Sequence, residues 1–233
     1  ANNIALGMDT LSVNTTGTRN LAIMKNALNS SDTEDDNIAI GYDAMTTNTA
    51  GGTGNVALGN YTLDALTSGD YNVAMGHTAL GANSTGGSNV AIGHEALLTN
   101  TTASNNTGVG FQSLKLNSTG DSNVAVGWHS LAANTTGYYN NAIGRDALLA
   151  NTEGAHNISL GSDTMKANTT GNSNVAVGGY SLEANTTASN NIAVGYTALR
   201  ANTTGTRNIA IGSNANDLAD TENDNIAIGY DAM

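Results

Sequence analysis

The chain has no cysteine and no proline, and only one Phe and one Trp among 233 residues. Without cysteine the fold uses no disulfides, so the redox compartment cannot be read from them. Without proline every residue keeps its backbone N–H, which suits uninterrupted hydrogen-bond ladders. The scarcity of large rings excludes a conventional core of bulky side chains and favours thin layers of Val, Ile, Leu and Ala. Basic residues are also few: seven Lys and Arg against 19 Asp and Glu give a formal net charge of −12. They are scattered, so no phosphate-tracking surface is expected and nucleic acid is not a predicted partner. No apolar run approaches the roughly 20 residues of a membrane helix, and membrane insertion is not expected.

What the chain has in quantity is repetition. Asn123-Val124-Ala125-Val126-Gly127 is followed by Ser130-Leu131 and Asn134-Thr135-Thr136-Gly137, and the same pattern returns one coil later from Asn140. A fixed period overrides segment-by-segment reading. With the first Asn as position 1, the units start at Asn3, Asn20, Asn37, Asn55, Asn72, Asn89, Asn106, Asn123, Asn140, Asn157, Asn174, Asn191, Asn208 and Asn225. Every step is 17 residues except Asn37 to Asn55, which is 18, and the extra residue is expected in the Gly51-Gly52-Thr53-Gly54 stretch. Position 3 is Ala except at Gly108 and Ser159, position 4 is apolar throughout, and position 5 is Gly except at Met24. Position 8 is Ala, Ser or Thr, and position 9 is Leu or Met except at Asn216.

A longer echo overlies the short one. Asp32 to Met45 returns as Asp220 to Met233 with one change, Asp35 to Asn223. The offset is 188 residues, eleven units plus the inserted residue. The expectation is one array over residues 1–233 with an 11-coil superrepeat, a window onto a longer fibre that begins and stops inside a unit without polar caps.

Positions 2 to 4 read as a short strand. Val or Ile at positions 2 and 4 share one face, and small residues take the other. Both faces are apolar, which predicts cover on both. The reading places the Val/Ile face in the coil interior and the flat Ala/Gly face against another chain, most simply in a homotrimer. A second strand is predicted over positions 8 to 11, with Leu at position 9 completing the interior. Positions 12 to 17 carry turn chemistry. The fold class is therefore all-β, a parallel β-solenoid or β-roll of about 14 coils, rising about 4.8 Å per coil to a rod of roughly 65 Å. Stacked Asn at position 1, and at position 12 from Asn83 through Asn202, would form side-chain ladders.

Units such as Asn89 to Gly93 and Asn174 to Gly178 resemble the head repeats of trimeric autotransporter adhesins. Residues 195–208, with Ala198-Leu199-Arg200-Ala201-Asn202-Thr203-Thr204-Gly205, are more similar to the arrays of phage tail fibres. The resemblance covers the whole chain and implies a left-handed trimer of parallel β-rolls in an extracellular, cell-surface or virion fibre, as a shaft or adhesin. The autotransporter repeat is shorter than 17 residues, and a neck, stalk, anchor or self-cleaving chaperone domain is not expected within residues 1–233. Phage and cell-surface origins both remain open.

Four features bear on binding. His77, His94, Phe111, Trp128 and Arg145 occupy position 6 in successive coils, and Tyr138-Tyr139 lies at a turn tip. These form a stripe for a glycan or receptor, or rings that simply shield a corner. The acidic turns Asp32-Thr33-Glu34-Asp35-Asp36 and Asp220-Thr221-Glu222-Asn223-Asp224 offer oxygens for Ca²⁺ through Asp32, Glu34, Asp35, Asp36, Asp220, Glu222 and Asp224. Their spacing matches no Ca²⁺ loop, and a solvated loop is the plainer account. Recurrent Thr pairs, as at Thr135-Thr136, raise ice binding as an alternative, but they sit in turns. No paired carboxylates, nucleophile set or cofactor motif appears, so an enzyme is not expected; the non-catalytic part of a glycan-degrading tail spike is the other alternative.

Overall fold

A computed structural model describes residues 2–48, 51–218 and 220–233. The chain forms two compact units, Ala1–Thr119 and Gly120–Met233. The first holds β1 (Ile4–Leu6), β2 (Leu21–Ile23), β3 (Ile38–Ile40), β4 (Val56–Leu58), β5 (Val73–Met75), β6 (Val90–Ile92) and β7 (Thr107–Val109). The second holds β8 (Val124–Val126), β9 (Asn141–Ile143), β10 (Ile158–Leu160), β11 (Val175–Val177), β12 (Ile192–Val194), β13 (Ile209–Ile211) and β14 (Ile226–Ile228). All are parallel and pair in chain order within each unit, so every residue faces its equivalent one coil away, as Val175 faces Ile192. No helix occurs among the described residues. The fold is all-β, a parallel β-solenoid with one three-residue strand per coil.

The inside and outside of the strand are opposite to the expectation. Position 3 points inward: Ala22, Ala74, Ala125, Ala142, Ala193 and Ala210 are fully buried. Positions 2 and 4 point outward. Ile143 is 45% exposed, Ile192 37% and Ile211 40%. The reason is room. A Cβ placed on Gly108, at position 3, would already lie 3.1 Å from Ser113 Oγ and 3.4 Å from Leu97 Cγ. The interior of a coil holds the small residues of positions 3 and 8 against a Leu or Met from position 9 in nearly every coil, and a β-branched side chain at position 3 would overfill it.

The second predicted strand is absent. Positions 5 to 11 are turns, and positions 7 and 9 lie in the left-handed region, as at His129 (φ 54°) and Leu131 (φ 54°). A strand alternates inward and outward, whereas positions 8 and 9 are both buried, as Ala147 and Leu148 are. The left-handed residues allow two consecutive side chains to point inward. Each such non-glycine residue costs about 1–2 kcal/mol, least tolerable for β-branched side chains, and position 9 is Leu or Met in nearly every coil. Inter-coil bonding continues through the turns: Leu131 N–H donates to Ala147 O at 2.9 Å and Ala133 N–H to Leu149 O at 3.1 Å. At position 5, glycine permits close stacking. Gly127 has φ +140°, and a Cβ there would stand 2.5 Å from Gly144 O.

Two amide ladders secure the turn side, one at position 1 and one at position 12 in the coils that carry Asn there; Leu66 interrupts the second. At position 1, Asn123 Oδ1 accepts from the backbone N–H of Asn140 at 3.0 Å and from its Nδ2 at 3.2 Å. Asn123 Nδ2 donates to Gly137 O at 2.9 Å. At position 12, Asn134 Nδ2 donates to that same carbonyl at 2.8 Å, and its Oδ1 accepts from Asn151 Nδ2 at 2.8 Å. Both ladders therefore converge on the position-15 carbonyl. In the 18-residue coil Gly52 O receives both Asn37 and Asn48. The extra residue thus lies between Asn48 and Gly52, a span that includes residues 49 and 50, outside the described residues. Where Ser31 replaces the position-12 Asn, Glu34 replaces the glycine, and its buried carboxylate accepts from Ser31 Oγ (2.9 Å), Thr33 N–H (2.9 Å) and Gly51 N–H (3.1 Å).

Asn151 donates to Asn134 Oδ1 and Gly154 O and accepts from Asn168 Nδ2. Asn151→Ala leaves buried amide groups unpaired, at about 1–3 kcal/mol for each. Urea melts should show a loss of about 2–4 kcal/mol, while Glu153→Ala in the adjoining exposed turn should stay within about 0.5 kcal/mol.

Candidate functional surfaces

The largest candidate is the outer face of the strands. Within the second unit it runs Val124, Asn141, Ile158, Val175, Ile192, Ile209 at position 2 and Val126, Ile143, Leu160, Val177, Val194, Ile211 at position 4, all part-exposed or exposed. The first unit presents the same face through β2 to β7, with Thr107 at position 2 of β7. Contiguous apolar patches on monomeric proteins seldom exceed a few hundred Å².

One edge of that face carries the position-6 stripe. In the first unit the rings touch in file. Tyr42 and Tyr61 centroids lie 5.5 Å apart, Tyr61 and His77 5.6 Å, His77 and His94 5.5 Å, and His94 and Phe111 5.4 Å. The last two pairs are stacked within 11° of parallel. Tyr61 joins from position 7, because Asn60 holds position 6. Neighbouring rings occupy each other's faces, so the exposed parts of His77 and His94 are mainly edges. In the second unit Trp128 lies over His129 at 3.6 Å.

Arg145 sits above two buried carboxylates. It reaches Asp146 Oδ2 at 3.0 Å and also pairs with Asp163, whose side chains are 6% and 4% exposed. Lys166 Nζ reaches Asp163 Oδ1 at 2.7 Å and Asp146 Oδ2 at 3.6 Å, and His129 Nδ1 lies 3.8 Å from Asp146 Oδ1. Sequence reasoning missed this cluster. Its signal was present: acids at position 7 of two successive coils, with a Lys three residues after the second.

No family model and no curated protein matches the chain. The surfaces must therefore be judged on their own chemistry.

At the opposite edge of the face, Tyr138 and Tyr139 meet His156 of the next coil, with centroids 5.3 Å away in each case. Both tyrosines are exposed, at 45% and 55%. Together the three rings make an aromatic knuckle, the best-formed candidate for contact with a sugar or a receptor side chain.

The acidic turns are used within the fold, between coils. Asp35 Oδ1 accepts from Thr18 N–H at 2.6 Å and Thr18 Oγ1 at 2.9 Å, which hold its carboxyl below the usual range. Asp36 pairs with Arg19, and Asp224 with Arg207, through two bonds each, and these arginine hydrogen bonds lower both carboxyls. Asp32 and Asp220 accept from the hydroxyls of Thr15 and Thr203. Glu34 turns inward, and Glu222 accepts from the backbone of Asp220 and Thr221. The carboxylates thus diverge, and among the described residues no three His, Cys, Asp or Glu side chains are grouped to hold a metal ion.

The threonines are divided. Position-13 hydroxyls donate to the next coil's backbone, as Thr152 Oγ1 does to Thr169 O at 3.2 Å and Thr169 Oγ1 to Thr186 O at 3.0 Å. Position 14 stays exposed at Thr136, Thr170, Thr187 and Thr204. That leaves a single file of outward Thr rather than a flat sheet of hydroxyls.

Burial is the largest single influence on Asp163 and opposes its charge. Hydrogen bonds from Lys166 and Ser162, with the charges of Lys166 and Arg145, together outweigh it and hold the carboxyl below the usual range. A lowered folded pKa gives stability that is complete above the unfolded value of about 3.9 and is lost as pH falls through the folded value. The gap in urea midpoint between the parent chain and Asp163→Asn should be full above about pH 5 and close as pH falls through the lowered folded pKa. A gap constant with pH would contradict this origin.

Proposed function

We propose that the chain is a shaft segment of an extracellular or virion fibre, assembled from copies of itself, most simply three around an axis. The observation that carries this is the outward Val/Ile face. An aliphatic side chain about a third exposed offers on the order of 50 Å² of apolar surface, so two per coil over seven coils come to on the order of 700 Å² per unit, close to one partner's share of a standard interface. The face repeats with every coil. A second copy has the same parallel strands at the same rise, and so it can match each coil in turn, where an unrelated partner would match only some.

In this reading the mechanism is mechanical. Stacked coils with continuous backbone and amide ladders resist bending and proteolysis, and the side chains flanking the covered face remain available. The knuckle of Tyr138, Tyr139 and His156 is the proposed contact for a surface glycan or receptor, together with the edges of His77 and His94, the exposed parts of Phe111 and Trp128, and Arg145. Fibre assembly multiplies such contacts and raises avidity without strong single sites. The engagement of the position-13 hydroxyls supports this reading over ice binding.

Light scattering on the 233-residue chain tests it. Three times the chain mass is expected. Val175→Lys with Ile192→Lys, both on the outward face, should give a folded monomer with an unchanged β spectrum. A folded monomer from the parent chain would overturn the proposal.

A further inference from the structure

A face that is alike in every coil leaves a difficulty for any assembly of identical solenoids. Sliding one copy by a single coil, about 4.8 Å, places aliphatic side chains against aliphatic side chains again. Register is weakly specified when neighbouring levels are equivalent. Something must distinguish one level from the next.

Asn141 does so. It stands at position 2 of β9, in register with Val124 of β8 and Ile158 of β10. Every other position 2 of the chain is Val, Ile or Leu, apart from Thr107. Asn is a poor strand former, and Asn141 is exposed in the middle of an aliphatic column. Its role also differs from that of the buried Asn at positions 1 and 12. Those amides bond to neighbouring coils, whereas the Asn141 side-chain amide makes no hydrogen bond among the described residues. The solenoid gains nothing from it internally.

We propose that Asn141 is the register pin of the assembly. The inference rests on the reading that copies of this chain cover the Val/Ile face. In the aligned register the Asn141 amides of the copies meet at one level and hydrogen-bond to one another. In a register slipped by one coil each amide is buried against Val124 or Ile158 of a neighbour. An unpaired buried amide shifts the equilibrium against slip on the order of tenfold to a hundredfold per chain. A single polar residue in an apolar seam fixes register in coiled coils by the same physics, at some cost in affinity. Thr107 marks a second level less strongly, because its methyl group tolerates an aliphatic neighbour.

The test uses the absence of cysteine. Glu153→Cys, in an exposed turn, accepts one spin label per chain, and distances between labels report the axial offset between copies. The parent assembly should give one narrow distribution. Asn141→Val should assemble at the same or lower concentration, yet show further populations offset by whole coils. Asn141→Val combined with Ile158→Asn moves the pin and should restore a single distribution. When mixed with parent chains it should give hetero-assemblies offset by one coil. A single narrow distribution in assembled Asn141→Val would overturn the pin and leave the shared face standing. A monomeric parent chain would overturn both.

Discussion

The narrowness of the coil interior governs the rest of the structure. Each level admits one small residue from the strand and, from the turn, a small residue at position 8 beside a Leu or Met at position 9 in nearly every coil, and a Cβ at position 3 is already in contact. That limit drives Val and Ile outward. It also requires two successive turn residues to point inward, which a strand cannot do, and so forces position 9 into the left-handed region. The strain recurs in every coil and is held by inter-coil hydrogen bonds on both sides. A fold of this kind tolerates little change inside a coil and much change at its corners and tips.

The amide ladders carry the polar side of the same arrangement. Turns in a thin solenoid bury carbonyls that neither water nor a second strand can reach. The Asn side chains at positions 1 and 12 supply the missing donors, and most also bond a neighbouring coil, as Asn140 and Asn151 do, so the ladders join coils as they satisfy them. Glu34 with Ser31 performs the local task with a carboxylate. The arginine–aspartate pairs at position 17, Arg19 with Asp36 and Arg207 with Asp224, are exposed and salt-screened, and their contribution is small beside the buried amides.

Much of this was legible in the sequence. The 17-residue period, the strand at positions 2 to 4 and the Asn columns follow from repetition and residue type. The direction of the strand was not legible, because both of its faces are apolar and no polar position marks the solvent side. The missing second strand was hidden as well: Leu at position 9 reads as a strand or core residue, and its positive φ is set by the cramped interior. Among the binding features, sequence position located the stripe and the tyrosine tip. It did not reveal that the stripe rings pack on one another, that Arg145 is anchored by Asp146 and Asp163, or that the aspartates of the acidic turns bond the coil before them while Glu34 and Glu222 bond their own turns. Most of those are contacts between side chains of neighbouring coils, where the identity of two neighbours decides the outcome.

The most direct test of the account is relaxation of methyl groups by a soluble paramagnet, on chain labelled at Ala, Val and Ile methyls and diluted until monomeric. The account predicts that Ala125, Ala142 and Ala193 are shielded while Val124, Ile143 and Ile192 are strongly relaxed, with the latter group becoming shielded as copies assemble. Relaxed Ala methyls beside shielded Val and Ile methyls in the monomer would contradict it, since the strand would then face the other way.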